Sequence, residues 1–274
     1  MSWNWSLLRA GTLRLDGGGM FGVVPKPVWS KRTAPDALNR IGLQTNCVLL
    51  EGHGQRVLLE TGCGDTWSDR DRDRFCIEQR TVVDALHENE VAPSEIDHVI
   101  LTHLHFDHAG GLTHLSDNKG AVSTFCHAQV HVQRQEWEDA CAGRSTMTGT
   151  YLSGNLDPIA HQTRLAEGHA LLLPGIEVIP VPGHTWGQQA VLVQTEEGTL
   201  CFPGDVLPTR HHVGASWSMG YDMLPWDNMQ TKESVLSRAA DEGWILVLDH
   251  EPDQPVVTVQ RDGGWFVLAD HPVR

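Results

Sequence analysis

The sequence predicts an α/β sandwich, two β-sheets with helices on their outer faces. Three observations carry that expectation. Apolar, β-branched runs recur along the chain, stretches of helical period interrupt them, and the last runs form a strand pair. That alternation fits packed sheets flanked by helices better than an all-β barrel.

Taken in order, the first 40 residues read as an N-terminal arm or lid, and 41–274 as the sandwich core. Met20, Phe21, Val23, Val24 and Trp29 follow three glycines and do not fit a regular strand. They read as a lid or groove for an apolar substrate group, as packing of the arm, or as a contact in a homodimer. "QTNCVLLEG" and "RVLLETG", separated by "HGQ", predict a hairpin. Val82, Val83 and Leu86 have helical spacing, and "APSEIDHVILTH" reads as a turn entering a buried strand. "STFCHAQVHV" predicts a strand, and "RQEWEDACAG" a helix closed by Gly143. Residues 144–168 are polar and irregular, a surface excursion beside a functional rim. Strands "IEVIPVPG", "QQAVLVQT" and "GTLCFPGD" follow, then a helix with Val235, Leu236, Ala239 and Ala240 on one side and Gly243 as its stop. "WILVLDH" reads as a buried strand, and "PVVTVQRDGGWFVLAD" as a final hairpin.

No Pro/Gly/Ser-rich spacer, low-complexity tract or fixed-period repeat divides the 274 residues, and 40% of them are hydrophobic, enough for one large core, so one domain is expected. Twenty basic against 35 acidic residues give a net charge of −15, which repels phosphate backbones and argues against nucleic acid as a partner. "MSWNWSLLRAGTLRL" lacks the pattern of a signal peptide, and no window approaches 18 uninterrupted apolar residues, so the expectation is a cytoplasmic protein without a membrane span. The six cysteines contain no C-x-x-C pair and read as reduced, mostly buried thiols, Cys63 and Cys201 among them.

One stretch, "ILTHLHFDHAGGL", places three histidines and an aspartate within six positions. Imidazole with carboxylate suits zinc, iron or manganese. Downstream, "VPGHTWG", "CFPGDVLP" and "LVLDHEP" put His184, Asp205 and His250 just beyond three predicted strands, where a rigid scaffold hands residues to a site. The set is His103, His105, Asp107, His108, His184, Asp205 and His250. Its spacing suggests two divalent ions. In an extended loop, residues two apart face the same way, so His103 and His105 grip one ion while Asp107 and His108 turn toward a second. His184 completes the first site, His250 the second, and Asp205 bridges them.

These motifs, "THLHFDHAGG", "GHTWGQ", "PGD" and "LDH", resemble the metallo-β-lactamase superfamily over residues 40 to 255. The resemblance implies a four-layer αββα sandwich of two mixed sheets with a metal site between them. Within the superfamily the chain looks most like the N-acyl-homoserine lactonase branch, through "DGGGMFGVVPKPVW", the segment after Asp205, and aspartate where β-lactamases carry a bridging cysteine. Glyoxalase II normally brings a helical C-terminal extension, and with 24 residues after His250 none is expected here. It also departs from one lactonase subgroup, which places a substrate-binding tyrosine three residues after the bridging aspartate; here that position is Pro208. Tyr221, His211 and His212 are the candidate replacements, and Met20, Phe21, Trp29, His212 and Tyr221 the candidate substrate contacts. Trp186, Trp217 and Trp226 are further candidates for the pocket, or for core and rim.

The chemistry expected is hydrolysis of a lactone or ester by a metal-bridged hydroxide, with Asp107 orienting it and carrying a proton to the leaving oxygen. Zinc is the first choice of metal, with iron, manganese or cobalt as alternatives. Two other readings stand beside this one: a phosphotriester or aryl-ester hydrolase, and a mononuclear-iron thiol or persulfide oxygenase of the same fold.

Overall fold

The computed structural model describes residues 2–118 and 120–272. In chain order it places β1 (Asn4–Asp16), α1 (Gly17–Phe21), α2 (Lys26–Trp29), β2 (Arg40–Gly52), β3 (Gln55–Leu59), α3 (Asp69–Phe75), α4 (Val82–Glu88) and β4 (His98–Ile100). There follow α5 (Phe106–Ala109), β5 (Thr113–Leu115), β6 (Ala121–Ser123), β7 (Gln129–Gln133), α6 (Arg134–Cys141), α7 (Ser153–Leu156), β8 (Thr163–Ala166), β9 (Ala170–Leu173) and β10 (Ile176–Pro180). The chain continues through β11 (Gln189–Thr195), β12 (Gly198–Phe202), α8 (Pro225–Glu242), β13 (Ile245–Val247), β14 (Val256–Asp262) and β15 (Trp265–Asp270).

The first sheet runs in the order β1-β2-β3-β4-β7-β8, the second β15-β14-β13-β12-β11-β10-β9, and both mix parallel and antiparallel pairs. Alternation along the central strands explains the layering. Val48, Leu50, Val57, Leu59 and Ile100 face Val178, Val191, Val193, Leu200, Phe202 and Val247 between the sheets. The intervening residues point outward: Leu49, Leu58 and Val99 meet Val82, Ala85 and Leu86 of α4, while Leu192, Leu246 and Val257 meet Val235, Leu236 and Ala239 of α8. The result is four layers, helix, sheet, sheet, helix. Helix α8 stops at Gly243 in the left-handed region (φ 69°), as its sequence predicts, and starts at Pro225, two residues before the predicted stretch.

Four expectations change. The boundary at residue 40 does not hold, because residues 4–16 are a 13-residue strand paired antiparallel along β2. The three glycines form the short helix α1, capped by the Asp16 carboxylate on the Gly19 amide, rather than a flexible hinge. Residues 144–168 hold α7, a 3₁₀ turn at Asp157–Gln162 and the edge strand β8, so the excursion is partly ordered structure. "STFCHAQVHV" is not one strand: Ser123 ends β6, and β7 begins only at Gln129. Among the described residues no helix is long and apolar enough to cross a membrane.

Candidate metal centre

Loops at one end of the strands converge on one spot. His103 and His105 leave β4, His184 follows β10, Asp205 follows β12 and His250 follows β13. All seven side chains selected from the sequence meet there, and all are buried, from 0% exposed at His103 to 7% at Asp107. The loop is extended only as far as His105; residues 106–109 make one helical turn, which brings the His108 ring back to 3.9 Å from that of His103. The two glycines that close the motif let it lie backbone against backbone on the end of β3. A Cβ on Gly110 would sit 2.0 Å from the Cys63 carbonyl oxygen, and one on Gly111 2.2 Å from that of Thr61.

The donors fall into two groups. His103, His105 and His184 form one, and His108, Asp205, Asp249 and His250 the other, each with donor atoms within 4.8 Å of one another. His184 Nε2 lies 3.0 Å from His105 Nδ1, and His250 Nε2 lies 3.2 Å from His108 Nε2. Asp205 stands between the groups: Oδ2 is 3.1 Å from His184 Nε2 and Oδ1 is 3.4 Å from His250 Nε2. Asp107 approaches the second group from the cleft, 3.6 Å from His250 Nε2.

Behind the rings sits a layer of partners that fixes their orientation. His103 Nδ1 lies 3.0 Å from the Thr102 hydroxyl, His184 Nδ1 3.0 Å from Asp222 Oδ1, and His108 Nδ1 3.2 Å from Glu60 Oε2. His250 Nδ1 donates to the Gln44 carbonyl at 2.9 Å. Outer partners of this kind hold metal-ligating imidazoles in one tautomer. Glu60, Asp222 and Asp249 escape sequence reasoning because each adjoins a stronger signal: an apolar strand, Tyr221 and His250. Asp249 lies 4.0 Å from His108 Nδ1, on the same side of that ring as Glu60.

This donor set fits cations. With His250 Nδ1 spent on a carbonyl and His108 Nδ1 facing a carboxylate, the two neutral rings would point bare Nε2 lone pairs at each other across 3.2 Å. Two nitrogens on one tetrahedral ion stand about 3.3 Å apart, close to that separation. His103 Nε2, His105 Nε2, Asp205 Oδ1 and Asp249 Oδ2 are buried without a hydrogen-bond partner. At about 1–3 kcal/mol each, their combined cost rivals the whole stability of a domain, about 5–15 kcal/mol, so something must compensate them.

Electrostatics agree with the geometry. Burial holds the imidazoles of His103 and His105 well below their usual range, in the neutral form that ligates. Around His108 burial is outweighed by Glu60, Asp107 and Asp205, which lift it to about 9. For His250 the carboxylates of Asp249 and Asp205 likewise overcome burial and raise it well above the ordinary value. Burial and the neighbouring Asp205 push Asp249 up, while His184, His250 and His108 outweigh burial and pull Asp205 down. The second group thus demands positive charge.

Above this floor opens a cleft of ≈ 390 Å³. Trp67, Phe75 and Phe106 form an aromatic wall, with ring centroids 5.0–6.1 Å apart, beside Leu15, Met20, Met219 and the loop 147–152. Of the candidate substrate contacts, Met20 and Tyr221 line the cleft. Phe21, Trp29 and His212 do not. Phe21 stacks on Trp29 and His212 behind the cleft wall, in the same apolar cluster as Met20 and Met219, and all three are buried. Burial drives His212 down to about 3; this neutral ring faces the Thr209 hydroxyl through Nδ1 and donates from Nε2 to the Met20 carbonyl, so it is a strut. Of the arm's apolar side chains from which self-association was inferred, Met20, Phe21 and Trp29 are buried, whereas Val23 is 86% exposed. Trp186, Trp217 and Trp226 lie outside the lining: Trp186 stacks under Arg144, Trp217 packs edge-on against Phe21, and Trp226 is exposed. Tyr221 lies so close over Gly19 that a Cβ there would be 2.1 Å from its hydroxyl oxygen.

A sequence model of the metallo-β-lactamase superfamily matches residues 40–250. The chain belongs to that superfamily. Among its relatives, an N-acyl homoserine lactonase of Bacillus cereus is 28% identical over 173 residues, 59% of this chain and 63% of that protein. Metallo-beta-lactamase domain-containing protein 1 of Xenopus laevis is 32% identical over 182 residues, 65% of this chain and 63% of that protein. The chain therefore spans under two thirds of the length of these superfamily members. A probable metal-dependent hydrolase from Staphylococcus aureus superposes with a TM-score of 0.89 at 28% identity, covering 99% of both chains. The dizinc quorum-quenching lactonase AidC, bound to a product, superposes at 0.80 over 99% of this chain and 95% of that one, and at 16% identity it speaks to the superfamily fold alone.

Proposed function

We propose that the protein is a metal-dependent hydrolase that holds two divalent ions, zinc first among them, and opens lactones, N-acyl homoserine lactones in particular. One observation carries the reading. Two groups of inward-facing donors share the Asp205 carboxylate at the floor of an apolar-walled cleft. His103, His105 and His184 would hold one ion, Asp107, His108 and His250 the other, and Asp205 both. Ions so held lower the pKa of water toward neutrality and polarise an ester carbonyl.

The chain's own groups supply the rest. Asp107 stands on the cleft side of the second group. Its carboxylate takes the proton of the attacking water and delivers it to the ring oxygen as the acyl C–O bond breaks. Tyr221 lines the cleft, and its hydroxyl would donate to the carbonyl in place of the tyrosine missing at Pro208. Burial, with Asp16 and Asp107 nearby, raises that phenol to about 12, so it keeps its proton. Trp67, Phe75 and Phe106 give an acyl chain an apolar seat. The lactonases among the relatives support the substrate class.

The test is elemental analysis of protein purified without added metal, with pH-stat hydrolysis of a short and a long acyl-homoserine lactone. Two ions per chain with turnover of both, the long one faster, is the expected result. Two ions without turnover would discard the lactone and turn attention to phosphotriesters and aryl esters; a single iron would favour the oxygenase reading.

A further inference from the structure

A further buried acid stands behind the first group of imidazoles. Glu136, at the start of α6, is fully buried. Its Oε1 accepts from the Leu104 amide and the Tyr151 hydroxyl, both at 3.0 Å, and its Oε2 accepts from the Thr185 hydroxyl at 2.5 Å. Leu104 lies between His103 and His105, and Thr185 follows His184. The two loops that carry the first group of imidazoles are therefore fastened to the two oxygens of one carboxylate.

Close packing reinforces the tie. The loop after His184 presses on the start of α6 so tightly that a Cβ on Gly187 would lie 2.1 Å from the Glu136 amide nitrogen. The Tyr151 ring stands 5.0 Å from that of His105. A separate tie lies deeper, where Gln189 donates to the Leu101 carbonyl and accepts from Gln133. That one joins the strand ends and would hold the sheets together without Glu136. Burying a carboxylate is costly, and a position serving only packing is filled more cheaply by an apolar side chain.

We propose that Glu136 is the positioning residue of the first ion's site: by clamping the His103–His105 loop to the His184 loop it sets the spacing of the three imidazoles. This rests on the two-ion reading above. The carboxylate never reaches the ion; it acts through the backbone amide of Leu104 and the side chain of Thr185. Replacing an outer partner of metal ligands weakens binding by about ten- to a hundredfold, and here the loss falls on one ion of the two.

The test titrates chelator-treated full-length wild type and Glu136→Gln with Co²⁺, following visible absorption and calorimetry, with the melting temperature of each metal-free chain measured alongside. The expected result is two ions in both proteins, one step weaker by about ten- to a hundredfold in the variant, its absorption band altered, and the metal-free melting temperature unchanged. Should Glu136→Gln fail to fold, Thr185→Val, which removes only the Oε2 donor, carries the test and shows a smaller weakening of the same step. Unaltered steps overturn the proposal, as does equal weakening of both steps with a fall in metal-free melting temperature, the mark of general loosening. Wild type binding no Co²⁺ overturns the two-ion reading itself, and the clamp with it.

Discussion

Two buried groups of histidines lie at opposite ends of β4, and they differ in everything except burial. At one end His98 and His131 meet with Nδ1 and Nε2 3.0 Å apart, and Gln55 Nε2 lies 3.1 Å from the remaining nitrogen of His98. If the amide donates to His98 Nε2, the proton on Nδ1 donates to His131 Nε2, and the chain is satisfied within the protein. At the other end five imidazoles converge with aspartates, and several nitrogens and oxygens find no partner. Among the described residues no carboxylate lies within ion-pair distance of His98 or His131, whereas His108 has four such contacts, to Glu60, Asp107, Asp205 and Asp249. A buried histidine is thus no sign of a site. Converging nitrogens and oxygens left without partners, facing acids, are the sign.

Substitutions at the two ends should separate cleanly. The largest effect belongs to Asp107→Asn, expected to lower lactone turnover by about a hundred- to ten-thousandfold, the range of a lost general acid–base group. Elemental analysis and steady-state rates check it, and an Asn variant that keeps both ions and full turnover would remove the proton-transfer role. The same substitution should leave the response of the His98–His131 end to acid as it was.

At that end the expected effect is on stability. Burial, with His98 adding to it, depresses His131 to about 4, against 6.5 in an unfolded chain. Between those values the unfolded chain takes up a proton that the folded one refuses, so stability is full above 6.5 and falls as pH drops toward 4. At about 1.36 kcal/mol per pH unit of that window the loss is on the order of 3 kcal/mol. Urea denaturation of wild type and His131→Gln at pH 7 and pH 4.5 measures it. The variant should lose less stability on acidification while turning over substrate at the wild-type rate at pH 7; equal acid sensitivity of the two proteins would show that the pair is not what titrates.

The smallest effect sharpens the active end alone. Tyr221→Phe deletes one hydrogen-bond donor and nothing of the ring, so turnover should fall about tenfold, the worth of a single hydrogen bond. Metal content should not change. A fall in metal content instead would assign Tyr221 to the support of the floor.

Much of this is legible in the sequence. The central strands announce themselves because both faces are buried, so "CVLL" and "ILV" are continuous apolar runs. The metal motif is legible because its residue types have few other reasons to cluster. β1 is not: it is an edge strand, half-buried along most of its length, broken by a register shift between Arg9 and Thr12, and so lacks clean alternation. Phe21, Trp29 and His212 read as a substrate surface because nothing in the order of residues reveals that the loop after Asp205 folds back over α1 to cover them. Glu60, Glu136, Asp222 and Asp249 carry no motif of their own in the sequence and are made meaningful only by what packs beside them.

The seam between the motif's two glycines and the end of β3 has a bearing on how such a protein can change. With a carbonyl oxygen 2.0 Å from where a methyl group would begin, Gly110 admits no other residue without moving a sheet end, and Gly111 at 2.2 Å is bound in the same way. The ligand loop is therefore inherited as a block, fixed in place by its own absence of side chains. The cleft wall is drawn from segments remote in the chain, Leu15 and Met20, Trp67 to Phe75, and 147–152. Descendants of this chain can try new wall residues one at a time and so explore new substrates while the chemistry beneath stays untouched.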